Sequence, residues 1–105
     1  MALVLLAVIT VASCSVNAYN TPSDLPAGDP SREAFLEEGR AISEKHGFSV
    51  TDFALMGLAD NTCVVSGSSA SDWAEYLAGI RSGAASEAIA SAAVEVAELA
   101  KRTLC

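Results

Sequence analysis

Residues 85–103 read ASEAIASAAVEVAELAKRT and carry the most regular helical pattern in the chain. The polar side chains in this stretch follow one another at spacings of four, three and four residues: Ser91, Glu95, Glu98 and Arg102. The opposite face holds small and branched apolar side chains: Ile89, Ala92, Ala93, Val96, Leu99 and Ala100. This pattern predicts an amphipathic helix, and its alanines would let neighbouring elements approach closely.

Working back from this helix, apolar residues recur at helical spacing from Asp29 onward, and no segment alternates strictly as a half-buried strand would. Asp29 followed by Pro30 is a typical helix start, and Gly47 is a typical helix end. A second helix is predicted to begin near Ser49, with Asp52 completing an approximate capping box. Its apolar residues cover more than half of its circumference, which predicts that it is the central helix.

A third, shorter helix is predicted after the polar connection 66–71, starting near Asp72. Its stripe of Trp73, Tyr76, Leu77 and Ile80 is predicted to belong to the core. The chain therefore predicts an all-α fold: a small bundle of about four helices in residues 31–105.

The composition limits the function classes. The chain has 105 residues and a formal net charge of −7, with Lys and Arg together numbering six. That length is typical of one small domain. Nucleic acid is disfavoured as a partner because phosphate backbones are bound by clustered basic residues, and here the few basic residues are scattered.

Residues 1–13, MALVLLAVITVAS, predict an export signal rather than a membrane span, because a spanning helix needs about 20 apolar residues. Val11-Ala12-Ser13-Cys14 resembles a bacterial lipobox, which would make Cys14 the lipidated first residue of a membrane-anchored protein. The alternative is ordinary signal-peptidase cleavage after Ala18, which would give a secreted protein. We favour the lipobox, since a cysteine directly follows the apolar run.

Residues 14–30 are predicted to form a flexible linker. They contain all three prolines of the chain, interspersed with Ser, Asn, Thr, Asp and Gly. Such a composition buries little apolar surface, so we expect it to hold the folded domain clear of the membrane.

The chain has three cysteines. Cys14 is acylated or removed in either cleavage scheme, which leaves Cys63 and Cys105 to form a disulfide in an exported domain. A metal site is the weaker alternative, because Cys63, Cys105 and the lone His46 lack the spacing of zinc ligands. We therefore expect no cofactor and no metal.

The segments Phe35-Leu36 and Gly47-Phe48, the Y-L-x-G-I motif at 76–80 and an alanine-rich helix ending in cysteine carry a family resemblance. The chain resembles, over about residues 31–105, a family of small exported helical domains of unknown function found in mycobacteria and related actinobacteria. The resemblance implies a secreted or lipid-anchored protein with one disulfide at Cys63 and Cys105. This chain departs from the family at Leu104, where a tyrosine is usual. The resemblance brings no known activity.

No catalytic motif is present in the sequence. His46 is predicted at the exposed end of the first helix, where the helix dipole favours it. The carboxylate pairs Glu37–Glu38 and Glu95–Glu98 are predicted on solvated faces. The protein is therefore predicted not to be an enzyme.

The predicted function is that of an exported, lipid-anchored interaction module, which binds an unknown envelope protein or small ligand and reaches the membrane through Cys14. One alternative is a small-molecule or lipid carrier with a cavity between Trp73, Tyr76, Phe53 and Met56. Another is a phage-derived exclusion or immunity lipoprotein.

Overall fold

The computed structural model describes residues 21–105 as a bundle of four α-helices. They are α1 (Pro30–Lys45), α2 (Asp52–Val65), α3 (Ala70–Gly83) and α4 (Glu87–Thr103), preceded by a 3-10 turn (Pro22–Asp24). No strand occurs in this part of the chain, so the all-α prediction is confirmed. The predicted signal segment, Cys14 and the cleavage position after Ala18 lie outside the described residues.

Local capping determines where each helix begins. The Asp29 carboxylate accepts hydrogen bonds from two backbone N–H groups at the start of α1, as the sequence predicted. The second helix begins later than predicted, because the hydroxyl of Thr51 rather than that of Ser49 provides the cap. The third begins earlier, since Ser69 caps it from within the predicted connection 66–71. Ser86 caps α4.

The end of α1 is set by Gly47, whose φ of 92° is a left-handed conformation that favours glycine. The N–H of Gly47 donates to the Glu44 carbonyl, and the N–H of Phe48 donates to the Ser43 carbonyl. This closing turn brings Phe48 back toward the bundle, where it is half-buried. The predicted end of the first helix is therefore confirmed.

The central helix is α4, not α2 as the sequence predicted. It packs against each of the other three helices, and seven of its residues are buried: Ala90, Ala92, Val94, Val96, Ala97, Leu99 and Ala100. The side chains of Phe53 and Val64 on α2 are instead 90% and 78% exposed. Small side chains make the difference, because a helix with an alanine-rich surface can be approached from several sides at once.

The core joins α1, α2 and α4, and its buried residues are Phe35, Leu36, Leu55, Met56, Ala59, Val96, Leu99 and Ala100. Gly39 lets α1 approach α2 closely, since a Cβ atom there would lie 3.0 Å from a methyl carbon of Leu55. Ile89, predicted for the inner face of α4, is 38% exposed.

The third helix covers the bundle without entering its core. None of its residues is buried, and the stripe Trp73, Tyr76, Leu77 and Ile80 is half-buried. The prediction that this stripe is core was therefore too strong. The outer face of α3 is exposed to solvent, as at Ala78.

Residues 22–25, which lie in the predicted flexible linker, contact the bundle. Pro22 is buried, and the backbone N–H of Ser23 donates to the Asp60 carboxylate on α2 over 2.9 Å. The guanidinium of Arg32 on α1 donates to the carbonyl of Leu25. Proline-rich composition predicts exposure, but it does not show that one proline, Pro22, is buried in the fold. Residues 14–20 of the predicted linker lie outside the described part.

Candidate functional site

The predicted disulfide between Cys63 and Cys105 is present, with the two Cα atoms 5.2 Å apart. It connects α2 to the residue pair just beyond α4, where the N–H of Cys105 donates to the Ala100 carbonyl. Cys63 is half-buried and Cys105 is exposed. With these two sulfurs bonded to each other, Cys14 is the remaining cysteine of the chain.

An open cleft of about 490 Å³ lies between the start of the described chain and the end of α4. It is lined by Thr21, Pro22, Asp24, Leu25, Asp29, Ser31, Thr103, Leu104 and Cys105. Thr21, the first described residue, therefore lines the same cleft as Cys105 of the disulfide.

A smaller groove of about 170 Å³ lies at the opposite end of α1 and α4 and is almost entirely apolar. It is lined by Ser43, Phe48, Val50, Ala54, Leu55, Leu58, Ile89, Ala92, Ala93 and Val96. The hydroxyl of Ser43 donates to the Gly39 carbonyl and so is already satisfied. A cavity of about 150 Å³ with apolar walls accommodates one benzene ring, so this groove has room for one aromatic or branched apolar side chain.

Among the described residues, the four side chains predicted to surround a carrier cavity do not line the apolar groove. Met56 lies in the core, Phe53 is 90% exposed, and neither Trp73 nor Tyr76 lines the apolar groove. The groove itself is smaller than the roughly 300–1,000 Å³ typical of small-molecule pockets.

Trp73 and Tyr76 instead hold α3 on the bundle. Their ring centroids are 5.6 Å apart, and the ammonium of Lys101 on α4 lies 4.2 Å from the Trp73 centroid, in cation–π geometry. The Tyr76 hydroxyl shares a hydrogen bond of 2.9 Å with the hydroxyl of Thr62, which is fully buried on α2. The aromatic pair therefore has a structural role in connecting three helices.

Glu95 joins α4 to the end of α1. Its carboxylate accepts a hydrogen bond from the Lys45 ammonium at 2.8 Å and contacts the ring nitrogen Nε2 of His46. The hydrogen bond from Lys45, followed by that from His46, lowers the pKa of Glu95 below its usual value. The sequence placed His46 at an exposed helix end and Glu95 on a solvated face. It did not indicate that they meet.

The remaining candidate carboxylates lie on the surface. Glu37 and Glu38 are exposed on the outer face of α1, and Glu98 is exposed on α4, away from the groove lining. Within residues 21–105, no group of three or more His, Cys, Asp and Glu side chains is arranged to hold a metal ion.

Phe53 and Val64 are exposed on one face of α2, and Gly57 lies between them. We call these three residues the α2 strip. Val64 follows Phe53 by eleven positions, so the two side chains point in directions about 20° apart and lie about 16 Å apart along the helix. Asp60, which accepts the hydrogen bond from the 3-10 turn, lies on the same face between them, about 20° from the direction of Phe53. Leu58 in the apolar groove points about 140° away from Phe53 around the same helix.

None of the four helices in the described part of the chain is both long and apolar enough to cross a membrane. No protein-family model, curated protein or solved structure matches the chain. The class defined by the structure is that of a small disulfide-linked helical bundle with an apolar groove and an exposed apolar strip on different sides of α2.

Proposed function

We propose that the protein is exported, is anchored to the outer face of the cell membrane by a lipid on Cys14, and acts as a non-enzymatic interaction module for another envelope protein. The Cys63–Cys105 disulfide is the observation that carries this proposal. Disulfides persist in oxidising compartments, beyond the cytoplasm. Because that bond uses the other two cysteines, Cys14 is left for a separate role at the end of the apolar run.

The apolar groove is the binding site that we assign to this module. Its walls come from three helices and the α1–α2 connection, so helix packing forms the site. Its one polar lining residue, Ser43, already has a partner, so an entering apolar side chain would leave no hydroxyl unsatisfied. A partner that presents one aromatic or branched apolar side chain fits this shape and chemistry. The groove's small volume gives less support to a lipid or small-molecule carrier.

The anchoring half of the proposal is tested by the intact mass of the mature protein, purified separately from membranes and from the medium. A lipid-modified chain that begins at Cys14, with two hydrogens missing for the disulfide, is the expected membrane species. A Cys14→Ser variant should lose the lipid mass and move to the soluble fraction. A wild-type chain that begins at Tyr19 would show that ordinary cleavage after Ala18 occurs and that the protein is secreted.

The binding half is tested by photocrosslinking in intact cell envelopes. A photoreactive phenylalanine analogue replaces Ala54, which is exposed at the groove, or Ala78, which is exposed on the outer face of α3. We expect a discrete protein adduct from position 54 alone. An Ala93→Leu substitution, which fills the groove, should abolish that adduct while the far-UV circular dichroism stays unchanged. Identical adducts from both positions, or none from position 54, would contradict the assignment.

A further inference from the structure

The α2 strip carries the most exposed large apolar side chains among the described residues. Its position relative to the proposed anchor on Cys14 indicates which surface it contacts. Phe53 and Val64 are 90% and 78% exposed, and no described part of the chain packs over them. The Asp52 carboxylate near Phe53 pairs with Arg40, so that end of the strip carries a neutralised charge. Phe53 and Val64 are thus the two most exposed large apolar side chains of the described residues, and they lie on one helix face.

The chain between Cys14 and the domain is short and ends beside this strip. Residues 14 and 21 are separated by seven Cα–Cα steps, which span at most about 25 Å. The described chain begins at Thr21, two residues before Ser23, whose backbone N–H is hydrogen-bonded to Asp60. Asp60 lies one helical turn from Val64 on α2. An anchor on Cys14 therefore holds the α2 strip within reach of the surface into which the lipid inserts.

We propose that the α2 strip rests on the outer leaflet of the membrane, with the rings and methyl groups of Phe53 and Val64 at the level of the lipid headgroups. This inference rests on the proposed lipid on Cys14. The membrane then contacts the outer face of α2. The apolar groove, about 120–140° away around α2, faces outward and remains open to a protein partner.

A second copy of the chain fits the strip less well than a lipid surface. Each copy carries a net charge of −7, so two copies repel each other. Two side chains, of which even a large aromatic covers only about 150–250 Å², also fall well short of the roughly 800 Å² that each partner buries in a stable complex. A membrane contact needs no such area, because the anchor supplies most of the affinity and the strip only orients the domain.

The test uses the chain from Cys14 to Cys105 with its disulfide intact, so that Cys14 is the single free thiol. This thiol is coupled to a maleimide headgroup in phosphatidylcholine vesicles, half of them made with brominated acyl chains that quench tryptophan. Phe53→Trp in a Trp73→Phe background reports on the strip, and Ala78→Trp in the same background is the matched control. Coupling through maleimide makes the result independent of whether cells acylate Cys14, which the intact mass decides separately.

We expect coupling to brominated vesicles to reduce the tryptophan fluorescence of the Phe53→Trp variant about twofold, with a shift to shorter wavelength. The fluorescence of the Ala78→Trp variant should stay nearly unchanged. A Val64→Trp variant should behave like Phe53→Trp, which guards against a local effect of one substitution. Equal quenching at positions 53 and 78, or none at 53 and 64, would overturn the proposal. Sedimentation of the uncoupled chain as a dimer that Phe53→Ser dissociates would likewise overturn it, in favour of a second copy as the occupant.

Discussion

Replacing Cys105 by serine removes the covalent link between α2 and the end of α4, and its effect can be calculated from the size of the loop. The two cysteines are 42 residues apart. For a loop of that size, the restriction that the bond places on the unfolded chain corresponds to about 4 kcal/mol of folding free energy. Cys105 is exposed, so the loss of its sulfur opens no cavity in the core. Nearly all of the destabilisation should therefore come from the unfolded state.

The measurement is urea denaturation followed by circular dichroism, with the free energy of unfolding extrapolated to water. We expect Cys105→Ser to lower that free energy by about 4 kcal/mol, to raise the denaturant slope, and to lower the melting temperature by about 20 °C. Cys63→Ala and the double variant should lose similar amounts, because all three break the same bond. A loss below about 1 kcal/mol, or a double variant twice as destabilised as each single variant, would refute this reasoning.

Three further predictions concern contacts between helices. Glu95→Gln should lower the free energy of unfolding at pH 7 by roughly 0.5–1 kcal/mol, whereas Glu98→Gln on the same helix should not. The folded-state pKa of Glu95 is lowered, so its stabilisation is fully present above the usual carboxyl pKa of about 4.3 and is lost as the pH falls through the folded value. Urea titrations at a series of pH values should therefore show that the Glu95→Gln variant loses less stability in acid than the wild type. Tyr76→Phe should cost about 1–3 kcal/mol in thermal or urea unfolding, because it leaves the buried Thr62 hydroxyl without a partner, and adding Thr62→Val should restore part of the loss. Asp60→Ala should free the 3-10 turn and increase limited proteolysis within residues 21–28, while a fold-wide increase in cleavage would show that Asp60 stabilises the whole bundle instead.

The parts of the fold that depend on local signals could be predicted from the sequence. Asp29 and Pro30 mark the start of α1 and Gly47 marks its end, because capping and backbone conformation are decided by a few adjacent residues. The predicted start of α3 was wrong, although it too depends on a local cap. Several serines precede it, and the sequence does not show which one lies where its hydroxyl reaches the backbone N–H of Asp72.

Which helix is central could not be predicted, because burial depends on the arrangement of all four helices. The second helix is richer in large apolar residues, yet Phe53 and Val64 point away from the core. Alanines such as Ala97 and Ala100 contribute little apolar area individually, but they are fully buried because other helices approach them closely. Counting apolar residues therefore identified the wrong helix.

The candidate sites also divide into features that the sequence predicts and features that only helix packing creates. The Cys63–Cys105 bond followed from the number of cysteines and needed no knowledge of packing. The contact of Glu95 with Lys45 and His46 links positions about fifty residues apart, and only the packing of α1 on α4 creates it. The apolar groove was missed because its walls come from separate elements, and no sequence motif marks a gap between them.

The contacts of residues 22–25 with the bundle bear on which partners the domain would meet if the proposed lipid on Cys14 anchors it. Fully extended, residues 14–30 span at most about 55 Å, whereas residues 14–21 span at most about 25 Å. With the proposed lipid on Cys14, a domain held so close to the leaflet would search for its partner by lateral diffusion in two dimensions. Its encounters are then limited to proteins that share the membrane surface, and a modest affinity at the groove suffices because the local concentration is high.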